Sequence, residues 1–305
     1  MSLWEAILAR VGWGPLVPAI PSWMPVETLD ALREHVMPFS FSEQLVAAVP
    51  ADAHKRPAAL ATMIALWFAI NWVGGAASYI LLPPYRRLKL SDKMGWNCRI
   101  PSCVHAALAA YVSYVSILEN RLYLATAGGQ AVELKTMVTV SFSWMLSDLI
   151  NEAYCGLRGV GYRVAKDNLG HHFAGIALMV LYLWWVDTRG FSGSVSFYTA
   201  LFLSTEVTTP ILNIRYWTLK GGLGDTVIPT ILGLILLSMF IVFRVVVCGI
   251  LVVGLAGEPV LPPLLRQTGM FVGLGFFLLN CYWSSLMMKK VIELFLPPRA
   301  HAKRA

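Results

Sequence analysis

The chain alternates between long apolar blocks and short polar stretches. Seven blocks stand out, roughly at 59–82, 100–118, 133–152, 170–187, 194–213, 227–255 and 267–288. Each is long enough, or nearly so, to cross about 30 Å of hydrocarbon at about 1.5 Å per helical residue. A crossing segment must satisfy its own backbone polar groups, so the blocks predict helices. A membrane barrel would need alternating strands of about ten residues, and these blocks are continuous. The predicted fold is all-α, a polytopic transmembrane helix bundle of about seven spans.

Prolines and glycines punctuate the blocks. Pro83-Pro84 ends the first, and Pro101 is placed at the opening of the second, where proline costs least. Gly128-Gly129 lies in a turn, Gly221, Gly222 and Gly224 precede the sixth block, and Pro262-Pro263 separates the last two. The bundle is bounded at 59–290. Residues 1–58 are rich in proline, and within them 3–13, with Trp4, Ile7, Leu8, Val11 and Trp13, predicts a short interfacial helix. No cleavable signal is evident in this segment. Residues 291–305 form a basic tail.

Composition narrows the class. Hydrophobic residues make up 57% of the chain and charged residues 13%, against about 25% charged in soluble domains. That excludes a soluble globule and a disordered chain alike. The net charge of +7 is dispersed in short runs between apolar blocks, a topology signal rather than a nucleic-acid footprint. Segments after the odd-numbered spans, with the tail, hold 15 Lys and Arg, and the N-terminal segment and the other loops hold 8. This bias places the C-terminus in the cytosol, or the matrix of a mitochondrion, with the N-terminus opposite. The endoplasmic reticulum is the expected membrane and the mitochondrial inner membrane the alternative. Five cysteines, an odd count, imply no disulfide framework. Cys98, Cys103 and His105 fit no standard zinc spacing, so neither a metal nor a cofactor is expected.

Ionisable groups inside spans carry the chemistry, because each costs about 2.5–3.5 kcal/mol to insert. His105, Asp148, His171, His172, Glu206 and Arg244 are such groups, joined by the amides Asn213 and Asn280 and by Tyr282. Counted from the span ends, all but Arg244 fall at similar depth in the cytosolic leaflet, which predicts one polar pocket. Arg244 is placed toward the opposite leaflet, and Asp148 has Lys135 or Arg163 as candidate partners. Taken alone, Asn213 and Asn280 read as interhelical hydrogen bonds. His171 and His172 are about 100° apart on a helix, so both cannot face lipid cheaply. Pro210 removes a donor and frees the Glu206 carbonyl, which predicts a polar kink.

These residues resemble a known pattern. Trp96-Asn97-Cys98-Arg99, then Ser102 and His105-Ala106, resembles the opening of a TLC domain, the superfamily that includes ceramide synthases. Ser147-Asp148-Leu149 and His171-His172 follow in the same order. Glu206, Thr209-Pro210, Asn213 and Arg215-Tyr216-Trp217 are similar to a stretch of the TLC domain-containing protein 4 subgroup, as are Phe243-Arg244 and Leu279-Asn280 with Tyr282-Trp283. The resemblance spans about 59–290. Ceramide synthases carry an acidic HD-x-x-D-like set where this chain has Glu206-Val-Thr-Thr-Pro, which points away from ceramide synthesis.

The resemblance implies a protein that binds or handles lipid, an acyl chain or a phospholipid, and affects membrane lipid composition. His105, Glu206, Asn213, Asn280 and Tyr282 would then contact the lipid. One alternative is a non-catalytic accessory subunit that packs against other membrane subunits. Another is an acyltransferase-like enzyme, with His171 or His172 as general base oriented by Asp148 or Glu206. An enzyme requires both histidines on a cavity with an acid in reach, and a packing subunit a filled interior.

Overall fold

A computed structural model describes residues 48–50, 52–119, 132–159, 166–190, 193–257 and 261–295. The predicted interfacial helix at 3–13, the Gly128-Gly129 turn and most of the basic tail lie outside these residues. Every regular element among the described residues is helical: α1 (Pro57–Leu81), α2 (Leu90–Glu119), α3 (Val132–Leu157), α4 (Lys166–Arg189), α5 (Gly193–Ser204), α6 (Thr209–Thr218), α7 (Ile228–Phe240), α8 (Val247–Gly257) and α9 (Pro263–Phe295), with short turns of helix between some of them.

Two pairs form broken spans. A 3-10 turn, Thr205–Thr208, joins α5 to α6, and a π-helical turn, Ile241–Val246, joins α7 to α8. Grouped this way, the nine helices of the described residues make seven rods, in line with the apolar pattern. Five are long and apolar enough to cross a membrane by themselves. The third rod is too polar for that, since its buried side chains include Thr136, Thr139, Ser141, Ser143, Ser147, Asn151 and Glu152. The fifth is interrupted at Thr205.

Packing gives the rods an order. α2 lies against α3, α3 against α4, α4 against α9, α9 against α7 and α8, α8 against α5, and α5 and α6 against α2. Six rods therefore close a ring, and α1 sits outside it against α2 and α3. Close approach of α1 requires small residues. A Cβ on Gly74 would strike the Ile100 side chain, and one on Gly75 the Asn97 amide. Trp67 Nε1 then donates to Ser143 Oγ at 3.0 Å, and Trp96 Nε1 to Ser78 Oγ at 3.2 Å.

Two boundaries differ from expectation. Pro101 does not open the second span but lies inside α2, which begins at Leu90. The first turns of α2 carry Ser91, Asp92 and Lys93, so an apolar window misses them, and a 30-residue helix tolerates one missing hydrogen bond. α9 continues to Phe295 and takes in the start of what reads as tail. At the end of the ring away from the histidine pair, Asp187 gathers His54 (2.7 Å), Lys55 (3.1 Å) and Lys135 (2.7 Å), fastening the entry to α1 and the start of α3 to the end of α4. Lys135 is thus paired there rather than with Asp148.

Candidate functional site

Inside the ring a cavity of about 380 Å³ is walled by residues of all six rods. Cys98, Arg99 and Ser102 come from α2, Trp144, Asp148 and Glu152 from α3, and His171 and His172 from α4. Glu206, Thr208, Thr209 and Asn213 come from the broken fifth rod, Arg244 from the π turn and Trp283 from α9.

The histidine pair is buried, and its rings stand nearly perpendicular, at 88° with centroids 5.7 Å apart. His172 Nε2 meets Asp148 Oδ2 at 3.1 Å. His171 packs instead on Phe276 and Trp283, with centroids at 4.7 and 5.6 Å. His105 lies one layer behind the cavity wall. It is fully buried, its Nε2 is 2.9 Å from Ser141 Oγ, and its ring stacks on Trp144 at 4.0 Å and 7°. Trp144 in turn leans on His172 at 5.8 Å.

The kink predicted at Pro210 is present as the 3-10 turn. Its Glu206 carbonyl is taken up by the Thr209 N–H, in the shorter 3-10 pattern. The same turn aims its polar side chains inward. Thr209 Oγ1 donates to Glu206 Oε2 at 2.8 Å.

Arg244 corrects the sequence reading. It does not sit toward the opposite leaflet but lines the cavity, donating through Nε to Thr208 Oγ1 (2.8 Å) and through Nη2 to Thr209 Oγ1 (3.0 Å). Its Nη2 lies 3.7 Å from Glu206 Oε1. The cause is length: the fifth rod continues through Thr218, so Glu206 sits deeper than a span ending at 213 would place it.

The remaining predicted residues divide. Asn213 lines the cavity, its Nδ2 at 3.3 Å from both the Arg99 carbonyl and Ser102 Oγ. Asn280 is fully buried but stands apart, its amide donating to the Phe276 carbonyl one turn back at 2.9 Å. Tyr282 also stands apart, with 53% of its surface exposed. Glu152 and Trp144 are cavity residues that the sequence reading did not name, and Arg99 and Trp283 are ones it named only as parts of the family-like motifs. Glu152 carried a signal, since it follows Asp148 by four residues and so shares its helix face.

A second, apolar cavity of about 90 Å³ is lined by Met179, Tyr182, Tyr198, Phe202, Leu251 and Phe276 among others. Phe276 links the two linings: it lines the apolar cavity, packs on Phe202 at 5.1 Å, and contacts His171, which lines the polar one.

A helical ring enclosing a polar chamber and an apolar one defines an integral membrane protein of the polytopic helical class. Its residues 95–289 match the TLC domain, and the chain belongs to that family. The matched stretch takes in nearly all of the six-rod ring and leaves out α1. The chain is also similar to an uncharacterized TLC domain-containing protein of Schizosaccharomyces pombe, 25% identical over 217 residues that cover 70% of this chain and 68% of the relative. No solved structure matches.

Proposed function

We propose that the chain holds a membrane lipid inside the ring and through it affects membrane lipid composition. The observation that carries this reading is the contact of Phe276, on the apolar cavity, with His171, on the charged one. A lipid has the same two parts. Its headgroup or carbonyl end matches the cavity of Arg99, Glu206, Asn213 and Arg244, and its chain matches the cavity of Met179, Leu251 and Phe276. The polar volume falls within the range of small-molecule sites, about 300–1,000 Å³. Open chambers weigh against a scaffold whose only role is packing. Within the family, the stretch from Glu206 to Trp217 favours the TLC domain-containing protein 4 subgroup. The charge bias favours a polar cavity that faces the cytosolic leaflet of the endoplasmic reticulum, or, in the alternative location, the matrix leaflet of the mitochondrial inner membrane.

The test is photo-crosslinking of the purified full chain with a phospholipid bearing a photoreactive acyl chain. Labelling of peptides lining the apolar cavity, competed by unlabelled lipid and reduced in Gly273→Leu, supports the reading. Label unchanged by competitor or by the substitution overturns it.

The His172–Asp148 contact supports a second reading, acyl transfer to a lipid. Both histidines line the cavity and a carboxylate is within reach of one of them. His172 would take a proton from an acceptor hydroxyl or amine as that atom attacks the carbonyl of an acyl ester or thioester, and would return it to the departing alcohol or thiol, with Asp148 orienting the ring. Loss of a general base costs about 10²–10⁴-fold in rate. Replacing both histidines by alanine therefore abolishes turnover under this reading, and a folded double variant with full effect on lipid composition excludes it.

A further inference from the structure

We propose that Asp148, Glu152 and His172 bind one divalent transition-metal ion on the wall of the polar cavity. The inference begins with spacing. Asp148 and Glu152 stand four residues apart on α3 and share one face. His172 reaches them from α4 across the α3–α4 contact. One carboxylate oxygen from each acid and an imidazole nitrogen all lie within 4.8 Å of one another.

That separation suits an ion. Ligand atoms held about 2.0–2.2 Å from a metal stand about 3 Å apart at right angles and just over 4 Å apart when opposed. His172 Nε2 and Asp148 Oδ2 are already at 3.1 Å, so small side-chain rotations complete the set. Two of the three ligands are buried, with Glu152 4% and His172 2% exposed, and Asp148 is half-buried.

The donor chemistry selects the class of ion. An imidazole with two carboxylates suits zinc, manganese or iron(II) better than magnesium or calcium, which favour all-oxygen sets. Charge points the same way. Two carboxylates on one turn at this depth repel each other, and a dication offsets both. His172 then serves as a neutral ligand through Nε2 rather than as a cation.

Three protein ligands leave coordination positions open, the arrangement of catalytic rather than structural metal sites. All three residues line the cavity, so the open side faces whatever enters it. For the identity of that ligand the inference rests on the lipid reading: a phosphoryl or carbonyl oxygen of a lipid would take the open position and be polarised there. Metal binding itself does not depend on that reading. The sequence offers no such site because its cysteine spacing is uninformative and twenty residues separate Glu152 from His172.

The experiment uses the full chain purified in detergent and stripped with a chelator. Zinc and manganese are titrated separately, and bound metal is measured by mass spectrometry after gel filtration. Co-purified lipid is quantified on the same samples. The expected result is about one equivalent bound with a raised Tm, and affinity weakened at least tenfold in Glu152→Gln and in Asp148→Asn, as even outer-shell changes cost about 10–100-fold. Cys103→Ser, away from the cluster, retains the metal. Less than about a tenth of an equivalent on the wild-type chain overturns the proposal. So does equal binding in the wild type and in folded Glu152→Gln. If Asp148→Asn does not fold, the wild-type titration and Glu152→Gln decide between these outcomes. Lipid retained without metal leaves the lipid reading intact while removing this one, and metal bound without lipid does the reverse.

Discussion

Arg244 holds its guanidinium 3.7 Å from the Glu206 carboxylate, across the gap between the π turn and the 3-10 turn. The two meet because their rods are joined by the turn around Gly222. Glu206 lies twelve residues before Thr218 and Arg244 sixteen after Ile228, about 18 and 24 Å at 1.5 Å per residue. Both turns deviate from α geometry where they face each other, and the polar groups they expose bond to one another.

Breaking this pair from one side leaves a buried charge. Arg244→Ala is expected to destabilise the chain by about 3–5 kcal/mol, whereas Glu206→Gln combined with Arg244→Met costs clearly less. Unfolding in mixed micelles with increasing denaturing detergent measures both. A double variant as unstable as the single one would show that the threonine bonds, not the ion pair, hold Arg244.

His105 acts through packing. His105→Phe keeps the ring on Trp144 and loses the Ser141 bond, for an expected loss of about 1 kcal/mol. His105→Ala removes a buried ring, with an expected loss of about 3–5 kcal/mol by comparison with other buried aromatics. The same unfolding titration separates the two, and Trp144 emission is expected to shift in the alanine variant alone.

Two glycines give opposite outcomes. A Cβ on Gly254 would strike the Tyr198 ring, while one on Gly275 meets nothing within 4 Å. Gly254→Ala is expected to lose about 1–3 kcal/mol through overpacking. Gly275→Ala, on an exposed helix face, is expected to gain about 0.5–1 kcal/mol. Thermal unfolding in one detergent checks both.

Topology follows from the charge bias. A cysteine introduced at Arg299, in a chain whose native cysteines are replaced by serine, is expected to react with an impermeant reagent only from the cytosolic side. One introduced at Arg10 is expected to react only from the other.

Much of this was legible in the sequence. The seven rods follow from apolar length, and Asp148, His171, His172, Glu206 and Asn213 were placed together by depth alone. Depth, however, is a single coordinate. Tyr282 and Asn280 lie at a suitable level, yet their helix faces direct one outward and the other into helix packing. Arg244 was misplaced because the fifth rod is longer than its apolar stretch, the polar run Arg215-Tyr216-Trp217-Thr218 being helical too. Glu152 was passed over because it falls at the margin where the apolar block ends.

The π turn also bears on changes of chain length. Along the sixth rod the buried side chains Leu236, Phe240, Arg244 and Cys248 recur every four residues. In a uniform α-helix each such step overshoots by about 40°, so the row would wander a third of the way round. The wider turn absorbs the excess. Deleting one residue between Ile241 and Val246 would let the stretch close as ordinary α-helix with the downstream phase nearly kept, because eleven steps of about 100° come close to the three full turns the row now makes in twelve. Deleting one in the regular helix on either side would instead swing everything downstream by about 100° and carry Gly254 away from Tyr198. This short segment therefore makes the phase of the helix part of the ring's design: it can lose a residue and keep the ring in register, whereas the regular helix beside it cannot.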